Sequence, residues 1–184
     1  MLPAPVHFPV CDFKGESGLQ LWVRQILIDL LRNYFEVVEK PVLVGGDQFI
    51  YYQQGAPQLK VAPDVYVIED AGVPITQVRS WKTWEHEGRA PSLAIEVVSE
   101  DHQKDYGAEL IERYEALGVG ELFRYDPACA PLSTRRAKEG RALLSHFVRD
   151  GQGKLVEQAL PVPTQAKSAR YDFWLVHEAS RTLR

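Results

Sequence analysis

At 184 residues, 45% apolar and 25% charged, the chain has the size and make-up of one globular domain with a real core. Its net charge of −4 argues against a protein that grips nucleic acid through overall positive charge. Cys11 and Cys129 are far apart, and no signal peptide, targeting tail or bilayer-length apolar run is evident. A reduced, cytoplasmic chain without membrane contact is therefore expected, as a single domain over residues 1–184.

Residues 1–14 show no clear period and read as a surface arm. Ser17 and Gln20 stand at capping-box spacing, with Glu16 at the helix entrance. Behind them Leu19, Trp22, Val23, Ile26, Leu27, Leu30, Leu31 and Tyr34 recur at helical intervals, which predicts an amphipathic helix covering a sheet. Phe35–Val44 and Asp47–Tyr52 read as two strands of a hairpin turning at Gly45-Gly46, with Asp47 as a turn residue. A loop leads to the strand Val61–Ile68, which carries Asp64 directly after a proline.

Residues 69–90 form a polar connection in which Trp81 and Trp84 interleave with cations. Such a mixture can stack on bases, but the spacing places both indoles on one face of a helical turn and favours core anchoring or a dimer contact. Ala90–Ser99 then reads as a strand buried on both faces, because its apolar run does not alternate. Asp101 or Ser99 is expected to cap a helix bearing Tyr106, Leu110, Tyr114 and Leu117, which stops at Gly118. Glu121–Tyr125 is the next strand, so this helix makes a right-handed crossover between parallel neighbours. A basic loop at 128–141 follows, then a hairpin of Ala142–Val148 with Lys154–Leu160, and a last strand at Tyr171–Val176. The order describes an α/β sheet packed by few helices.

One carboxylate, Glu96, interrupts the most apolar strand. Burying it costs several kcal/mol unless something positive or hydrogen-bonding receives it. A divalent metal shared with a second carboxylate is such a receiver, and Asp64 offers that carboxylate. The histidines show no metal or triad spacing; His102 alone falls close to the central strand.

Pro63-Asp64, Glu96-Val-Val-Ser99, Asp105, Tyr114, Gly118-Val-Gly-Glu121 and Asp126-Pro127, taken in order, resemble the Uma2 family, a branch of the PD-(D/E)XK nucleases. The resemblance implies a restriction-endonuclease-like mixed β-sheet flanked by helices. It also implies a metal-dependent endonuclease acting on DNA, with Asp64 and Glu96 holding Mg²⁺ or Mn²⁺ against a scissile phosphate, and a homodimeric state. Superfamily members carry a lysine two residues after the glutamate, where this chain has Val98. The family commonly moves that lysine to the following helix, where Glu109 stands; Lys104 is the nearest cation. Glu109 then acts either as a third site residue or as the helical partner of Arg113. The alternative function is a catalytically inactive module that keeps the fold for binding or dimerisation.

Overall fold

The computed structural model describes residues 18–99, 106–132 and 134–178. It opens with helix α1 (Gly18–Val37), which buries Leu27, Ile28, Leu31 and Phe35 along one side. The strand expected from Phe35 onward is not formed there. Phe35, four residues past Leu31, continues the buried stripe at 2% exposure, and that packing overrides the strand preference of the valines behind it.

Strands β1 (Val42–Gly45), β2 (Ile50–Tyr51), β3 (Lys60–Val61), β4 (Val65–Glu69), β5 (Trp81–Lys82) and β6 (Leu93–Val97) follow α1. Then come α2 (Ala108–Leu117), β7 (Glu121–Tyr125), α3 (Arg135–Lys138), β8 (Leu144–Arg149), β9 (Leu155–Glu157), β10 (Gln165–Lys167) and β11 (Trp174–Val176). Six strands form one mixed sheet in the order β1-β4-β6-β7-β8-β9. Within it β6 and β7 run parallel across the α2 crossover, as the sequence order predicts. The other neighbours are antiparallel.

The hairpin at Gly45-Gly46 is replaced by a longer connection. β1 pairs with β4, Val42 opposite Glu69 and Gly45 opposite Tyr66, while β2 joins β3 and β5 in a separate small sheet. The two glycines serve close approach. A Cβ on Gly46 would lie 2.2 Å from the Asp64 carbonyl oxygen.

Alternation along β6 divides the core into two layers. Leu93, Ile95 and Val97 meet α1 and the Tyr171 region, whereas Ala94 shares the other layer with Tyr114 and Leu117 of α2 and with Ile50, Val61 and Trp81 of the small sheet. Trp81 lies on β5 rather than on a helical turn. It is wholly buried, and its Nε1–H donates to the Arg89 carbonyl at 2.8 Å. Core anchoring holds for this indole, which has no face left for a base.

The crossover helix begins at Ala108 with Gly107 as N-cap and no side-chain cap. Ser99 therefore does not cap it, and Asp101 lies outside the described residues. Gly118 ends α2 at φ 93°, in the left-handed region that favours glycine. The hairpin of β8 and β9 forms as expected. At the C-terminal end β11 pairs with β10, a strand the sequence pattern does not announce. Buried Glu121 ties that end to the sheet: Oε1 meets His146 Nε2 at 2.6 Å and the Ala169 N–H at 2.7 Å, and Ser168 Oγ donates to Oε2 at 2.7 Å. No helix among the described residues is long and apolar enough to cross a membrane.

Candidate active site

Asp64 stands one residue before β4. The β4–β6 register pairs Val65 with Ile95, so the next step of an antiparallel ladder sets Asp64 level with Glu96. Its backbone is pressed from behind by Gly46, and the Asp47 N–H donates to the Pro63 carbonyl at 2.8 Å. Asp64 Oδ2 accepts the Val97 N–H at 2.7 Å. The carboxylate is thus locked onto the strand that carries Glu96.

Helix α1 reaches the same point from the other layer. Gln20 Nε2 donates both to Asp64 Oδ1 at 3.3 Å and to the Val97 carbonyl at 3.1 Å. One nitrogen therefore marks a position within bonding reach of two hard oxygens. Arg24, one turn on, brings Nη1 to 4.0 Å from Asp64 Oδ1 and to 3.5 Å from Asp47 Oδ2. The guanidinium lies beside Asp64 as a fixed counter-charge. Ser17, the other half of the expected capping box, lies outside the described residues, and Gln20 directs its amide to the strands.

Glu96 faces α2. Its Oε1 accepts a hydrogen bond from the Tyr114 hydroxyl. Burial holds that hydroxyl well above the ordinary tyrosine pKa, and the Glu96 charge, the hydrogen bond to Glu96 and the Asp64 charge push it further.

Among the described residues no group of three or more His, Cys, Asp or Glu side chains is arranged to hold a metal. Two carboxylates with a backbone carbonyl still suit Mg²⁺, which is commonly bound through one or two carboxylates, with water and substrate phosphate supplying the rest. Glu109 pairs with Arg113 on the exposed face of α2. Tyr114, five positions on, lies roughly 140° further round the helix, so Glu109 and the Glu96 partner occupy different sides. Lys104, His102 and Asp105 lie outside the described residues. A cleft of about 430 Å³ between α1 and β1 is lined by Arg32, Glu36, Lys40 and Val73 among others, and by neither acid.

Sequence reasoning gave Gln20 only a capping role and Arg24 none at the site. The signal was available: both fall on the stripe of α1 that continues through Leu27, Leu31 and Phe35, where polar residues are out of place.

The family model Uma2, described as "Putative restriction endonuclease", matches residues 13–167. The chain belongs to the Uma2 family. That family sits within the restriction-endonuclease-like superfamily, and the mixed sheet with helices on both faces is consistent with its fold. Nucleases of that superfamily typically use divalent metals. No curated protein matches the chain. Val98, two residues after Glu96, is buried and gives its N–H to the Tyr125 carbonyl at 2.8 Å.

Proposed function

We propose that this Uma2 protein is a metal-dependent endonuclease that hydrolyses phosphodiester bonds in DNA, with Asp64 and Glu96 as the metal-holding pair. The observation that carries the reading is the double hydrogen bond of Gln20 Nε2 to Asp64 Oδ1 and the Val97 carbonyl. It marks two hard oxygens converging beside a second carboxylate. Mg²⁺ or Mn²⁺ bound there supplies Lewis-acid polarisation of the phosphate and a lowered pKa for an attacking water. The chain's own residues do the rest. The Val97 N–H fixes the orientation of Asp64, and Tyr114 fixes Glu96. Arg24, beside Asp64, offers the positive charge that a lysine brings elsewhere in the superfamily to offset the negative charge that builds on a phosphate. Hydrolysis adds water across one P–O bond and leaves a phosphomonoester and a hydroxyl.

A second reading, an inactive nuclease-fold module, is favoured by a specific observation: Asp64 already has the Val97 N–H, the Gln20 amide and the Arg24 guanidinium around it. Nicking of supercoiled plasmid separates the two. The nuclease reading expects Mg²⁺- or Mn²⁺-dependent nicking that falls at least a hundredfold in Asp64→Asn and Glu96→Gln. Equal nicking by wild type and both variants, or none by any, leaves the module.

A further inference from the structure

Segment 134–141 carries Arg135, Arg136, Lys138 and Arg141 against the single acid Glu139. That is a concentrated positive charge in a chain of net charge −4. Its arrangement is built rather than loose. Arg136 turns inward: Nη1 donates to both oxygens of fully buried Asp126, at 3.0 and 3.2 Å, and Nη2 donates to the Ser99 carbonyl at 3.4 Å. Thr134 Oγ1 accepts the Ala137 N–H at 3.4 Å and starts the short α3 turn. With Arg136 committed to the interior, Arg135 is left outward at 84% side-chain exposure, in a surface pair with Glu139 at 3.7 Å, and Lys138 is exposed beside it.

Two further guanidinium groups flank this anchor. Arg124 and Arg141 lie over the Tyr106 ring, 4.4 and 4.3 Å from its centroid, and the Tyr106 hydroxyl donates to Asp126 Oδ2 at 3.0 Å. Arg124 is the β7 neighbour of Glu96 in the parallel register. The cluster therefore starts beside Glu96 and continues past the end of the sheet where β6 and β7 finish. Ser99, where Arg136 is pinned, lies two residues beyond the end of β6 and three from Glu96, which puts it within roughly 11 Å of Glu96. That distance is roughly three base steps of a duplex at ~3.4 Å each.

We propose that Arg135 and Lys138, with Arg141 behind them, form the tract that binds the backbone phosphates of duplex DNA beside the acid pair. The inference rests on the nuclease reading of Asp64 and Glu96 and adds to it where the strand runs. Contacts of this kind position the nucleic acid and carry no sequence information. They also resolve the conflict with the acidic net charge, because affinity follows the local cations that displace counterions from the DNA.

The test is fluorescence anisotropy of the full chain with a fluorescein-labelled 20-base-pair duplex in EDTA, so that nothing is cut, across a salt series. Arg135→Glu/Lys138→Glu is compared with a charge-matched control, Lys154→Glu/Lys167→Glu, whose lysines pair with Glu115 and Asp172. The tract variant is expected to bind at least tenfold more weakly at 50 mM salt and to lose about 2 from the slope of log K against log salt, at ~0.9 per phosphate. The control is expected to stay within twofold, and circular dichroism melts check that both variants fold. Equal weakening of the two variants, or no weakening by either, overturns the tract. Asp64→Asn in the same assay keeps the readings apart. With a binding loss confined to the tract variant, intact duplex binding by Asp64→Asn together with its lost plasmid nicking in Mg²⁺ supports both, whereas intact plasmid nicking by Asp64→Asn overturns the acid pair alone.

Discussion

Tyr114→Phe removes one oxygen from a fully buried side chain and nothing else. In the structure that oxygen donates to Glu96, while the ring packs with Leu117, Val119 and Leu122 in the second core layer. The ring survives the change, so the loss falls on the hydrogen bond alone. A hydrogen bond to a charged acceptor contributes about 1.5–3 kcal/mol. Glu96 is half-buried and regains some water when the donor goes, which sets the expected cost near 2 kcal/mol. For a chain of this size that is a drop of about 4–8 °C in Tm. Urea unfolding in EDTA at neutral pH measures it, with an unchanged m-value as the sign that the same surface unfolds. A double-mutant cycle with Glu96→Gln then assigns the loss to the pair, and a coupling of about 1 kcal/mol or more is expected. A Tyr114→Phe variant within 0.5 kcal/mol of wild type, or a cycle with no coupling, would refute the claim that Tyr114 holds Glu96.

Three other changes follow from the same structure. Gly46→Ala drives a Cβ to 2.2 Å from the Asp64 carbonyl oxygen; it is expected to cost about 1–3 kcal/mol and to weaken Mn²⁺ binding measured by calorimetry, because Asp64 must move. Glu69 is held at a pKa of about 2, below the ordinary glutamate value of 4.5, chiefly by its hydrogen bonds from Arg170 and against its own burial, with Tyr171 and Lys40 assisting. Its contribution is present above pH ~4.5 and lost as pH falls toward ~2; Arg170 is 47% exposed, so screening leaves about 1 kcal/mol, and Arg170→Ala should flatten the acid side of a Tm–pH profile by that amount. Glu109→Ala should cost only a few tenths of a kcal/mol, the worth of its pair with Arg113, and leave plasmid nicking within twofold; a tenfold loss would bring Glu109 into the site.

What the sequence disclosed follows how local each determinant is. β6 and the α2 crossover were legible because an unbroken apolar run, helical spacing behind it and Gly118 all lie within the segment they describe. The position of Asp64 beside Glu96 was legible only as chemistry: a carboxylate among branched apolar residues needs company, but the company comes from a strand about thirty residues earlier. Gly45-Gly46 misled because a glycine pair looks the same whether it turns a hairpin or admits Tyr66 and Asp64 at close range. Phe35 was misplaced for a similar reason, since the partner that keeps it helical is Tyr171, far along the chain. Gln20 and Arg24 were visible as polar residues on a buried stripe, yet their targets on β4 and β6 exist only once the sheet forms.

The measurement that bears most directly on the account is a crystal of the protein soaked in Mn²⁺, read by anomalous scattering. The account predicts a peak bonded to Asp64, Glu96 and the Val97 carbonyl, with the Gln20 amide displaced from its bridge. A saturating soak that leaves Gln20 bridging Asp64 and Val97, with no peak beside Glu96, would contradict it.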